Sequence, residues 1–118
     1  MKDNNILADK SLDFGVRTVN CYKFLCKEQK EFVMSKQMYR SGTSIGANIH
    51  EGLQAQSKPD FISKMGIALK EACETSYWLK LLVRTEYINQ PMYQSLSADC
   101  DELSRLLTAI IKSARENE

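Results

Sequence analysis

The thirteen residues Arg40–Gly52, RSGTSIGANIHEG, hold three glycines, two serines and a threonine. That composition suits a loop that cradles phosphate, and it also suits a helix that lets another backbone come close. A phosphate loop needs glycines at a strand-to-helix turn, where backbone amides converge, and a Lys placed to reach the terminal phosphates. No strand pattern precedes the stretch, no G-K-S or G-K-T follows, and the spacing does not fit G-x-G-x-x-G. As helix, Gly42 and Gly46 stack one turn apart beside Ile45, Ile49 and Leu53 and leave a face without side-chain bulk. Each glycine costs about 1 kcal/mol of helix propensity relative to Ala, so the pair predicts a tight helix crossing at Gly42 and Gly46. Gly52 is expected to end this helix or loosen its last turn.

The boundaries on either side follow from two prolines. Ahead of Pro59, Ser57 is placed to cap a helix, with Asp60 three residues on as in a capping box. Ahead of Pro91, Asn89 or Gln90 is expected to close one helix and Pro91 to open the next. The bend within Lys27–Glu31, KEQKE, has no glycine or proline to mark it. Helices are thus expected at about 9–29, 33–55, 59–87 and 91–116 of a single domain over 1–118. Short connections favour antiparallel neighbours, so the expected fold is all-α, an up-down-up-down four-helix bundle about 40 Å long.

Apolar spacing assigns the faces. Met34, Met38, Ile45 and Ile49 form the inward stripe of the second helix. Met92, Leu96, Leu103, Leu107, Ile110 and Ala114 form that of the fourth, flanked by Leu106 and Ile111. The other two helices each carry two apolar sides. The first has Leu12, Val16, Val19 and Cys26 on one and Phe14, Cys21 and Leu25 on the other. The third has Phe61, Met65, Ala68, Ala72, Leu79 and Val83 opposite Ile67, Trp78 and Leu81. Trp78 either packs within its own chain or, with Ile67 and Leu81, forms a contact between subunits, where Trp is favoured.

With 43% apolar residues in 118, the chain has material for one core. Its polar start, MKDNNILADK, is unlike a secretory signal, and no apolar run approaches the roughly 20 residues needed to cross a bilayer. The expectation is a cytoplasmic protein with no membrane role. Cys21, Cys26, Cys73 and Cys100 have no C-x-x-C spacing and are expected to act as small buried apolar residues. His50 is the sole histidine. With no nucleophile motif or carboxylate pair in register, neither a metal site, a cofactor site nor a catalytic constellation is expected.

Sixteen basic residues against fifteen acidic ones leave a formal charge of +1, which removes the simplest argument for a nucleic-acid binder. The distribution is uneven: residues 10–86 carry twelve basic and eight acidic side chains, residues 87–118 three and five. Lys23, Lys27 and Lys30 share one face near the end of the first helix, and Lys36 and Arg40 follow on the second. These five are the candidate nucleic-acid contacts, although lysines without interleaved exposed aromatics are a weak signature. Arg40 has a second option, ion pairing across helices with Glu71 or Glu74.

Two segments, MSKQMYRSGTSIGANIHEG (34–52) and AQSKPDFISKMGIALKEACETSYWLKLL (55–82), resemble in order those of the bacterial four-helix-bundle proteins labelled 23S ribosomal RNA intervening-sequence proteins. The resemblance covers about residues 10–115. It implies an up-and-down bundle assembled as a homopentamer. A more distant likeness to accessory proteins of diversity-generating retroelements, which are basic and bind nucleic acid and a reverse transcriptase, implies a nucleic-acid or ribonucleoprotein role. The expected function is a non-enzymatic homo-oligomer that binds or scaffolds RNA, DNA or a nucleoprotein. The alternative is a protein-binding adaptor without a nucleic-acid role.

Overall fold

A computed structural model of the chain describes the backbone of residues 2–117 and the side chains of residues 4–117. Its elements are four helices, α1 (Lys2–Lys27), α2 (Met34–Leu53), α3 (Lys58–Arg84) and α4 (Gln90–Glu116), with no strand among the described residues. α2 packs between α1 and α3, α4 packs on α3 and more lightly on α1, and among the described residues the backbones of neither diagonal pair come close. Sequential neighbours joined by short turns therefore run up, down, up and down in a rod of 47 × 21 × 19 Å.

Each helix offers the core a stripe at three- and four-residue spacing, the pattern of coiled-coil-like packing. In α1 the buried stripe is Leu7, Ser11, Phe14, Thr18, Cys21 and Leu25. Two hydroxyl residues interrupt its apolar character, and the helix starts about two turns earlier than the expected residue 9, which brings Leu7 into the core. Both hydroxyls donate back along the helix, Ser11 to the Ala8 carbonyl at 2.8 Å and Thr18 to that of Phe14 at 2.9 Å. Burial therefore leaves neither unsatisfied. The second α1 stripe does not enter this core: Leu12 is 60% and Val16 55% exposed.

The opposing stripes are Ser35, Met38, Gly42, Ile45, Ile49 and Gly52 on α2, and Met65, Ala68, Ala72, Thr75, Leu79 and Leu82 on α3. Leu96, Cys100, Leu103, Leu107 and Ile111 complete the core from α4. Between α2 and α3, the Thr75 hydroxyl lies 2.8 Å from that of Ser41, which in turn lies 3.3 Å from the Met38 carbonyl.

The small residues of α1 and α2 meet each other. A methyl built on Gly42 would lie 2.7 Å from Thr18 Cγ2, and one on Gly46 would lie 3.2 Å from the Ser11 carbonyl oxygen. The expected tight crossing is present, and α1 is the helix that makes it. Gly52 neither ends α2 nor adopts a positive φ. It stands within the helix, where a methyl would reach 2.8 Å from Met65 Cε and 3.0 Å from Lys64 Cβ on α3.

The remaining helix ends show how the turns are built. The Asp60 amide donates to Ser57 Oγ at 3.2 Å, as the capping pattern predicts. Asn89 opens α4, its side chain accepting from the Met92 amide at 2.9 Å, whereas the expectation made it a candidate to close α3. α3 closes instead at Arg84, through Glu86 at φ 66°, with Tyr87 N–H donating to the Leu82 carbonyl and Glu86 N–H to that of Val83. Those are the two hydrogen bonds of a Schellman motif, made here without glycine. This is why the sequence concealed the end of α3.

Candidate nucleic-acid interface

The five candidate basic residues fall on the last turns of α1, the α1–α2 connection and the start of α2. Their positions depend on Glu31, a carboxylate in a stretch where the sequence shows no helix breaker. Its side chain turns under the start of α2 and accepts from the backbone amides of Val33 (3.1 Å), Met34 (3.0 Å) and Ser35 (2.7 Å). The Ser35 hydroxyl returns a bond to the Glu31 carbonyl at 2.8 Å. Three of the amides that a helix start leaves unpaired are thereby satisfied by one buried side chain. Burial alone would raise the carboxyl's pKa, but the hydrogen bonds from Ser35, Met34 and Val33 together hold it below the usual value. Lys30 sits in the left-handed region at φ 52°, and the Glu31 amide donates to the Leu25 carbonyl at 3.0 Å, fixing the turn against α1.

On this frame Lys23, Lys27, Lys30 and Lys36 are all exposed, and none has an ion-pair partner among the described residues. Lys23 and Lys27 are one turn apart on the α1 face that carries Leu12, Val16 and Val19. With Gly46, Ala47 and His50 of α2, that face forms a groove of about 620 Å³, and Lys23 lies at its basic end. Of the acidic residues in 23–40, Glu31 is committed inward and Glu28 remains exposed. The patch is therefore locally cationic in a chain that is close to neutral.

Arg40 is placed differently from the lysines. Its guanidinium bridges α2 to α3, donating to Glu71 at 3.1 Å and to Glu74. Glu74 also accepts from Trp78 Nε1 at 3.0 Å. The Arg40 hydrogen bond, then that of Trp78, keeps the Glu74 carboxyl below its ordinary pKa, and the two carboxylates raise that of Arg40. Of the two options for Arg40, the geometry takes the ion pair, so its charge is partly neutralised from within.

The face proposed for subunit contact carries this same network. Trp78 is partly buried against the core of its own chain and meets Tyr77 edge-on at 5.1 Å between ring centroids. Leu81 is half-buried, and Ile67 is 40% exposed. His50 is exposed, with Nδ1 2.8 Å from the Gly46 carbonyl oxygen. The cysteines are free and differ in environment. Burial pushes the Cys21 thiol up to about 11 and that of Cys100 up to about 12, but Cys26 is half-buried and Cys73 exposed, contrary to the expectation of four buried residues. No cluster of three metal-ligating side chains occurs among the described residues, and no helix of these residues is long and apolar enough to cross a membrane.

The sequence reading missed two residues of the patch. Phe32 is 60% and Val33 74% exposed, in the connection between Lys30 and Lys36. An aromatic is therefore interleaved with the lysines after all. The available signal was the break itself: Phe32 and Val33 belong to neither helical stripe.

Comparison with known proteins agrees with this architecture. Residues 3–109 match the model of the family described as 23S rRNA-intervening sequence protein. A crystal structure of a protein of unknown function from the S23 ribosomal protein family of Bacteroides thetaiotaomicron is 64% identical, with a TM-score of 0.92. That match covers 93% of this chain and 98% of the other. No curated protein matches the chain. With nearly its whole helical length matched, the chain belongs to the 23S rRNA-intervening sequence protein family.

Proposed function

We propose that this is a non-enzymatic helical scaffold, homopentameric by resemblance, that binds structured nucleic acid or a nucleoprotein through phosphate contacts. The observation that carries the reading is the group of exposed lysines without ion-pair partners among the described residues, Lys23 and Lys27 on α1, Lys30 in the connection and Lys36 on α2, gathered about the turn that Glu31 caps. The family description, which refers to an intervening sequence of 23S rRNA, supports the same partner class. Arg40 contributes less than the lysines, because Glu71 and Glu74 already share its charge.

Self-association is supported by the α1 face, where Leu12 and Val16 are 60% and 55% exposed beside the groove with α2. Ile67 and the exposed edge of the Trp78 network supply a second surface on α3. Repeating a small basic patch around a ring multiplies its effective charge, which offsets the near-zero net charge of each chain.

Titration of labelled structured RNA and duplex DNA at two salt concentrations tests the reading. Phosphate contacts make log K fall with log salt in proportion to the charges neutralised. Absence of binding at low salt rejects the nucleic-acid role, and a protein partner that survives nuclease treatment then favours the adaptor. Light scattering tests the assembly, and a monomer at micromolar concentration rejects it.

A further inference from the structure

We infer that Phe32 is a stacking platform for an unpaired base, which makes the α1–α2 turn a site for single-stranded nucleic acid in preference to duplex. The inference rests on the nucleic-acid reading above and specifies its ligand.

Phe32 and Val33 are, at 60% and 74% exposure, among the most exposed large apolar side chains described. A large apolar side chain left in water forgoes the stabilisation that burial would give it, and no described residue covers these two. The backbone that presents them is not loose. Glu31 takes the amides of Val33, Met34 and Ser35, the Ser35 hydroxyl closes onto the Glu31 carbonyl, and the Glu31 amide is held by Leu25. An exposed ring on a fixed turn binds without paying the entropy of ordering a loop.

Its surroundings identify the occupant. Lys27, Lys30 and Lys36 lie within five residues of Phe32 in the chain and are exposed and unpaired among the described residues, against one exposed carboxylate in that segment, Glu28. The carboxylate closest to Phe32 in sequence, Glu31, faces inward onto backbone amides and does not neutralise them. Cationic side chains around one exposed aromatic match a strand that offers phosphates and a bare base face. In a duplex both faces of each base are already stacked, so the ring finds a partner only where bases are unpaired, as in loops, bulges and single-stranded ends. A membrane surface would instead call for a long helix with a broad apolar face, and Phe32 and Val33 lie in a short connection.

The test uses the full chain and three fluorescent probes: a uridine-rich RNA of about 12 nucleotides, a DNA of matching sequence, and the DNA paired with its complement. Anisotropy is measured at about 50 and about 200 mM salt. Both single strands are expected to bind more tightly than the duplex. Phe32→Ala is expected to weaken the single strands about tenfold or more while leaving duplex affinity and the salt slope unchanged, and Phe32→Tyr is expected to restore binding. Lys27→Gln with Lys30→Gln is expected to weaken all three probes and to lower the single-strand salt slope by about 1.4. Phe32 is exposed, so circular dichroism of its variants should match the parent.

Single-strand binding by Phe32→Ala equal to the parent, or equal losses on single strand and duplex, overturns this inference and leaves the phosphate reading standing. Absence of binding to every probe at the lower salt overturns this inference, and absence of binding to the structured RNA as well overturns the nucleic-acid reading with it. So does capture by anionic vesicles in place of oligonucleotides.

Discussion

Three glycine-to-alanine substitutions on two adjacent helices are expected to differ in sign, because only two of the three glycines sit in the crossing. Gly15 of α1 has no neighbouring atom within 4 Å of a built methyl. Gly15→Ala therefore gains the full propensity difference, about 1 kcal/mol, and raises Tm by about 4 °C for a chain of this size. At Gly42 the methyl would lie 2.7 Å from Thr18 Cγ2 and 2.8 Å from Thr18 Oγ1. Thr18 is fully buried, and its hydroxyl is tied to the Phe14 carbonyl, so it cannot swing away without losing that bond. Overpacking of this kind costs about 1–3 kcal/mol. Set against the same propensity gain, Gly42→Ala is expected to destabilise by about 1 kcal/mol net. Gly46→Ala meets the Ser11 carbonyl oxygen at 3.2 Å, a backbone atom that no rotamer change can move, and is expected to be neutral to destabilising. Urea unfolding followed by far-ultraviolet circular dichroism gives all three values. A double-mutant cycle with Thr18→Ala isolates the crossing, since the smaller side chain should recover part of the Gly42→Ala loss. If Gly42→Ala and Gly46→Ala both stabilise as much as Gly15→Ala, the tight α1–α2 crossing is refuted.

Other regions give further expectations. Glu31→Gln removes the charge that accepts from three amides and should cost about 1–2 kcal/mol above pH 5, measured by the same denaturation. Because the Glu31 carboxyl is held below its usual pKa in the fold, its contribution is fully present above the unfolded value and is lost as pH falls through the folded one. Glu31→Gln should therefore flatten the stability profile on the acid side, and an unchanged profile would exclude this cap. Trp78, the only tryptophan, should report Glu74 protonation by its fluorescence at acid pH. In Arg40→Gln the midpoint should move up toward the ordinary carboxylate range, because the first cause of the lowered value has been removed. Thiol titration should modify Cys73 first. Cys21 and Cys100, with pKa values raised by burial to about 11 and about 12, should react only as the chain unfolds.

Some of the candidate patch was legible before the fold was known and some was not. The lysines could be placed on a shared face because helical spacing alone puts Lys23 and Lys27 together. Arg40 could not be separated from them, since its commitment to Glu71 and Glu74 depends on how α2 lies against α3. Phe32 was overlooked for a related reason: a phenylalanine in sequence is presumed buried until the packing shows no surface to receive it.

The sequence by itself determined that the chain is helical, where α2 and α3 begin, and that Gly42 and Gly46 lie in a close helix crossing. Those are local matters of periodicity, capping and propensity, which act over three or four residues. Tertiary structure decided the remainder. It made Leu7, Ser11 and Thr18 core residues, because glycines on α2 leave room for α1 to press two hydroxyl side chains into the interior. It turned Glu31 from one charge in a polar run into the cap of α2, and it left Leu12, Val16 and Phe32 facing solvent. Which of two apolar faces is buried depends on the neighbour's shape, and no pattern within a single helix contains that information.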